Sequence, residues 1–219
     1  MTYRISIGFL RKIVIVIVFT ITSTAEADRN GAYRALRNVE CDTALQEIWG
    51  QAETGNAEYQ DLLGEAYENG YCLPKTYMES LRWYLQAAKR GNANAQFRLS
   101  VLSYMATNEP KLSRSEEAEW ARLSAQQGNG AAQHIIGFRL AHGFGVQKDL
   151  IVGLMWLILA DSAGKDNEGI KRVPLPEFYH PRNQEYINET MESMTVDEIK
   201  KSRDLANNWL VGFKKPHKH

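Results

Sequence analysis

The chain has 219 residues and carries 26 basic and 26 acidic side chains, so it lacks the clustered positive charge that would point to nucleic acid as a partner. Its length suits one domain whose core is large enough to fold without staples.

The chain opens on the three zones of a secretory signal. Arg4, Arg11 and Lys12 form a basic start, and Ile13 to Thr22 reads IVIVIVFTIT. The polar STAEA follows, with Ala25 and Ala27 at the small-residue positions of an A-x-A cleavage site. Cleavage before Asp28 is expected. A membrane anchor needs roughly 20 apolar residues, whereas this run is bounded by Arg11 and Lys12 on one side and by Ser23 on the other, so a cleaved signal is the favoured reading. The 192 residues from Asp28 onward hold 23 basic and 25 acidic side chains, a net charge of −2. No Cys follows the A-x-A site to accept a lipid. A periplasmic or secreted protein with no stable membrane insertion after cleavage is expected. The two cysteines, Cys41 and Cys72, are an even count in an exported chain, which favours a disulfide over free thiols.

An internal repeat comes next. Three junctions, Gly55-Asn56-Ala57, Gly91-Asn92-Ala93 and Gly128-Asn129-Gly130, are spaced by 36 and 37 residues, and a further 36 reaches Gly164. Eight residues past each junction stand Leu63, Leu99 and Ile136, followed by the small Gly64, Ser100 and Gly137. Gly70 and Gly143 lie 15 past their junctions, Trp83 and Trp156 lie 28 past theirs, and Trp120 comes one residue late. Each unit reads as helix, tight turn, helix, turn. In the first copy Tyr59, Leu63, Ala66 and Tyr67 keep helical spacing, and Gly70 ends the helix by accepting a left-handed backbone. The small residues let a neighbouring helix approach, and the tryptophans fill the wedge between paired helices.

On these residues the chain resembles the Sel1-like repeat proteins, relatives of the tetratricopeptide repeats. Ile136-Gly137, Gly143-Phe144-Gly145-Val146, Asp149 and Trp156 look like the family's LG, GxGV, D and W positions. The first copy matches at Leu63-Gly64, Tyr67, Gly70, Trp83-Tyr84, Ala87-Ala88 and Gly91. The second is worn, with Ser100 in place of glycine and no glycine from Met105 to Pro110. The expected fold is an all-α, α/α solenoid of about nine helices. Residues 28–164 hold a leading half unit (41–55) and units 56–91, 92–128 and 129–164. A proline-rich insertion (165–181), C-terminal capping helices (182–211) and a basic tail (212–219) follow.

The resemblance implies an extended concave surface lined by the first helix of each unit. Outward positions of those helices, Glu58, Leu62, Glu65, Phe97, Arg98, Val101, His134, Ile135 and Phe138, are the candidate partner contacts, with burial of Val101 and Ile135 as the competing expectation. Helix geometry also places the cysteines. If one helix runs from Cys41 to about Thr54 and an antiparallel one from Ala57 to Asn69, Cys72 returns beside Cys41. A bridge needs Cα atoms within roughly 7 Å, and closing a loop of about 30 residues adds on the order of 3 kcal/mol.

No catalytic constellation stands out. His134 and His142 are eight apart, Glu177 and His180 lie between prolines, and His217-x-His219 sits in the tail. No catalytic residue, metal site or cofactor is assigned. Cysteine-rich relatives with penicillin-binding or β-lactam-cleaving activity keep an enzymatic alternative open. By the resemblance, exported members act as adaptors for envelope complexes or as factors delivered to host cells. The expected function is therefore a monomeric adaptor or regulator binding a partner protein of unknown identity. Asn188-Glu189-Thr190 satisfies a glycosylation sequon, read as chance in a bacterial chain. The insertion, with Val173-Pro174-Leu175-Pro176-Glu177-Phe178-Tyr179-His180-Pro181, is a partner loop or a cover over the last repeat. The cover is favoured, with Phe178 and Tyr179 packing inward. Tyr186, Ile187, Met191 and Met194 suggest a helix from Asn183. Thr195 and Glu198 form a capping box that starts the closing helix, which is expected to pair with the one before it.

Overall fold

A computed structural model describes residues 41–102, 112–163 and 173–214. The signal with Ala25, Ala27 and Asp28, the glycine-free turn from Met105 to Pro110, the first part of the insertion and residues 215–219 of the tail lie outside the described residues.

Nine α-helices are present among the described residues. They are α1 (Cys41–Glu53), α2 (Ala57–Asn69), α3 (Tyr77–Lys89), α4 (Ala93–Leu102), α5 (Arg114–Gln126), α6 (Gly130–His142), α7 (Leu150–Ser162), α8 (His180–Glu192) and α9 (Val196–Lys214). A single 3₁₀ turn, Glu177–Tyr179, precedes α8. Their ends are written locally. The repeated asparagine accepts a backbone N–H of the first turn in each unit: Asn56 from Glu58, Asn92 from Ala95, Asn129 from Ala132. Thr76, Ser113 and Asp149 do the same for α3, α5 and α7. Gly70 and Gly143, at φ 78° and 76°, end α2 and α6 in the left-handed conformation that L side chains resist. The box at Thr195 is formed, with Glu198 N–H donating to Thr195 Oγ1 and Thr195 N–H to Glu198 Oε2.

The pairs α2/α3, α4/α5 and α6/α7 pack as antiparallel hairpins. Successive first helices touch, α2 to α4, α4 to α6 and α6 to α8, whereas α3, α5 and α7 pack less closely on one another. Closer approach along one layer than the other curves the stack, with the first helices inside. The small residue after each Leu or Ile permits the pairing: a Cβ on Gly64 would meet the Tyr84 ring at 2.5 Å, and one on Gly137 would meet Leu157 at 2.8 Å. All five tryptophans lie on second helices or their terminal counterparts. Trp49 and Trp83 meet edge to face at 5.8 Å, and so do Trp156 and Trp209.

A buried glutamine per unit escaped the sequence reading. Gln60, Gln96 and Gln133 lie within helices α2, α4 and α6, and each donates through Nε2 to a carbonyl near the end of the preceding helix: Ala52, Ala88 and Ala125, at 3.0, 3.1 and 3.2 Å. Each of these carbonyls also accepts the N–H of the junction glycine, Gly55, Gly91 or Gly128, so the glutamine is its second donor, and the bond clamps each unit to the one before.

The ends of the stack depart from expectation in three ways. First, α9 packs chiefly on α7, placing Leu205, Ala206, Trp209 and Leu210 against Trp156 and Leu159, rather than forming a hairpin with α8. The apolar residues of α7 face both sides: α8 covers one, and α9, whose Ile199 also touches that side, covers the other with its later turns. Second, α8 begins at His180 rather than Asn183, because Pro181 in the first turn lacks only an N–H that would have no helical partner. Third, of the expected inward pair only Tyr179 is half-buried, packed on His134, while Phe178 is 75% exposed and Leu175 is the buried residue among the described part of the insertion. Backbone pairing turns the segment this way: Gly130 N–H donates to Val173 O, and Val173 N–H to Gly128 O. At the other end Cys41 and Cys72 are bonded with Cα atoms 5.2 Å apart, joining α1 to the turn after α2.

Candidate functional site

The concave layer opens into a groove of about 690 Å³ lined by α4 (Ser100, Val101), Leu112, the start of α5 (Arg114, Glu117), α6 (Ile135, Phe138, Arg139), Phe144 and Tyr179. Its size falls within the range of ligand-binding clefts, roughly 300–1,000 Å³. The walls are mainly apolar and the polar groups few. Arg139 donates to Glu117 at 2.8 Å and to the Arg114 carbonyl at 3.1 Å, with side-chain exposures of 14% and 12% for the ion pair. That pair is self-neutralised and holds α6 against α5. Arg114, exposed at the groove, adds positive charge.

Aromatic rings close one side. Phe138 lies 4.5 Å from Tyr186, 4.4 Å from His142 and 5.6 Å from Phe144. Behind them His134 is buried between Tyr179 and Tyr186, at 5.0 and 5.6 Å. Its Nδ1 lies 2.8 Å from Asn183 Oδ1, and Asn183 Nδ2 donates to Leu157 O, so one buried network ties α6, α7 and α8. Burial holds the imidazole below its ordinary pKa, with nearby Arg182 acting the same way and the Asn183 bond opposing it.

The expected contact residues therefore divide. Val101, Ile135 and Phe138 line the groove. Phe97 is half-buried against the core shared by α5, α6 and α7. Leu62 and His134 are corrections: Leu62 is 1% exposed within the core of α1 and α2, and His134 is 3% exposed within its polar network, so neither presents a surface. Glu58 is exposed and accepts from Asn92, tying α2 to the next junction, while Glu65 is half-buried. Arg98 donates to Glu68 at 3.2 Å, and Tyr84 donates to the same carboxylate at 2.7 Å. Burial and Glu68 together push the Tyr84 hydroxyl far above the usual phenol range, so it remains a donor. The Tyr84 bond ties the two helices of one unit and the Arg98 bond ties that unit to the next. Among the described residues no three His, Cys, Asp or Glu side chains gather as metal ligands, and no helix is long and apolar enough to cross a membrane.

Leu112, Arg114, Glu117, Arg139 and Phe144 were not singled out as contacts from sequence, and Tyr179 only as part of the insertion read as a partner loop or a cover. Phe144 carried the one usable signal, an aromatic residue between the turn glycines Gly143 and Gly145. The Arg139 and Glu117 pairing spans 22 residues and arises only from the stacking of units.

No protein-family model matches the chain. A stretch of 114 residues, 50% of the chain, is 34% identical to chitin synthase regulatory factor 3 of Schizosaccharomyces pombe. The match spans only 12% of that protein's length. Among solved structures, a Sel1 repeat protein from Oxalobacter formigenes aligns with a TM-score of 0.52 at 24% identity, over 66% of this chain and 97% of that one. A protective antigen of uropathogenic Escherichia coli strains displaying an SLR fold aligns with a TM-score of 0.47 at 20% identity, over 90% of this chain and 48% of that one. The chain has the all-α solenoid fold of Sel1-repeat proteins.

Proposed function

We propose that this chain is an exported adaptor or regulator, periplasmic or secreted, that binds a partner protein through the groove on its concave face. The observation that carries the reading is the groove itself, where half-buried aromatic and aliphatic side chains surround an exposed arginine on a rigid helical scaffold. Aromatic and arginine side chains dominate the binding energy of protein interfaces. The Sel1-repeat fold supports a scaffold role, since stacked repeats present surface rather than a single enclosed site. The likeness to a regulatory factor supports action on another protein. A bond between Cys41 and Cys72 fits an oxidising compartment.

An affinity capture from the envelope fraction of the source cells, comparing the native chain with an Arg114→Glu, Phe144→Asp double variant, tests this reading. Both substituted side chains are exposed, so helical circular dichroism should match. A partner held by the native chain should be lost by the variant. Equal capture by both would remove the groove from the function.

A further inference from the structure

The groove and the most exposed aromatic side chain among the described residues stand side by side. Phe178 is 75% exposed, yet its ring lies 4.3 Å from that of Tyr179, which lines the groove. Leaving a phenylalanine in water forfeits the gain of burying its apolar surface, and the 3₁₀ turn Glu177–Tyr179 holds this one at a defined place beside the groove. Glu177, next to it, is an exposed acid, and Arg114 is an exposed base lining the groove. The surface thus holds an apolar knob with a negative charge next to an apolar hole with a positive one.

We propose that two copies of this chain pair about a two-fold axis, each placing Phe178 into the other's groove and setting Glu177 against the partner's Arg114. A two-fold contact uses the same patch on both copies, so the patch must be complementary to itself. A knob and a hole on one face meet that condition. Had they stood on opposite faces, the same chemistry would have built open-ended fibres. The Phe178 ring would enter among Val101, Ile135, Phe138 and Phe144, where an aromatic side chain excludes water from apolar walls. The opposite charges fix its orientation and favour encounter. Because each groove is filled by the other copy, a protein partner would compete with the dimer, and self-association would regulate access to the groove. The inference goes beyond the adaptor reading and does not rest on it, since the purified protein alone suffices.

Sedimentation equilibrium of the purified protein, from about 1 μM to about 1 mM, should show a monomer passing to a dimer and no further. Phe178→Ala should weaken the dimer by at least about tenfold with unchanged helical circular dichroism, as loss of an anchoring aromatic does. Arg114→Glu and Glu177→Arg should each weaken it, and the double variant should recover most of the loss. Three results would overturn the proposal: a monomer at every concentration, which would assign the groove to a segment of another protein; assembly beyond the dimer; or a dimer indifferent to Phe178→Ala or unrestored by the charge exchange. A monomeric protein that still captures a partner in a groove-dependent way would end this proposal and leave the adaptor reading standing.

Discussion

At the scale of single residues the close approach of paired helices depends on missing atoms. A Cβ on Gly64 would lie 2.5 Å from two carbons of the Tyr84 ring, and Tyr84 is fully buried with its hydroxyl held by Glu68. That ring cannot swing aside, so Gly64→Ala should destabilise the fold by about 1–3 kcal/mol, the range of overpacked cores. Gly50, within α1, has nothing within 4 Å of its Cβ position. Gly50→Ala should therefore stabilise by about 0.5–1 kcal/mol through backbone entropy alone. Urea denaturation midpoints should move in opposite directions, and a shared sign would refute the packing argument. The repeat made Gly64 legible, because a small residue returning at a fixed offset means packing. Gln60, Gln96 and Gln133 return as regularly and went unread. A glutamine inside a helix suggests a wet surface, and only the stacked structure shows each amide clamped to the preceding helix. Leu62 and His134 fail for the converse reason. In a solenoid the face of a first helix that points away from its own partner can still meet a neighbouring unit.

At the scale of elements the stability of the C-terminal units carries a pH dependence. The imidazole of His134 links α6 to α8 through Asn183 and is held neutral by burial, so its folded pKa lies below the ordinary value near 6.5. The unfolded chain then takes the proton more readily. The stabilisation is complete above about pH 6.5 and is lost as pH falls below it toward the folded pKa. The denaturation midpoint should drop between pH 7.5 and 5.5 in the native chain, and the drop should shrink in His134→Gln. Equal pH slopes would show that the imidazole does not titrate against folding. At the opposite end of the described residues, α1 is held by the Ile48, Ala52 and Leu63 core together with the Cys41–Cys72 bond. Reduction should cost about 3 kcal/mol, the loop-closure value for a bridge of this span. The loss should appear as an early melting step of α1 by hydrogen exchange, and quantitative reaction of both thiols without denaturant would show that the bridge is absent. The end of α2 at Gly70 and the start of α9 at Thr195 were readable because their caps are local, whereas α8, which has no side-chain cap, starts earlier than expected. The partner of α9 was not, because the choice between α8 and α7 is made by apolar faces that meet only after the chain has turned.

For the whole molecule, a stack of repeats is a sum of units and their nearest-neighbour contacts, so its terminal unit must end the apolar layer rather than repeat it. Helix α7 reads LIVGLMWLILADS, and its apolar residues face both the α5–α6 side and the α8 side. Helix α8 covers only the second side, while α9 starts beside it at Ile199 and crosses to cover the first with Leu205, Ala206, Trp209 and Leu210. Trp209 is the anchor of the second cover, edge to face with Trp156 and stacked on Phe213 at 4.6 Å. Trp209→Ala should cost about 3 kcal/mol, toward the low end for buried aromatic truncations because Trp209 is half-buried. In a solenoid that loss should stay local. Amide protection should fall along α9 and α7, while α1 and α2, with their shared core of Ile48, Ala52, Leu62 and Leu63, keep theirs. Uniform loss of protection along the chain would mean that the units fold as one cooperative block. The groove would then share its stability with the cap, and any partner that fills it would stabilise both ends of the stack equally.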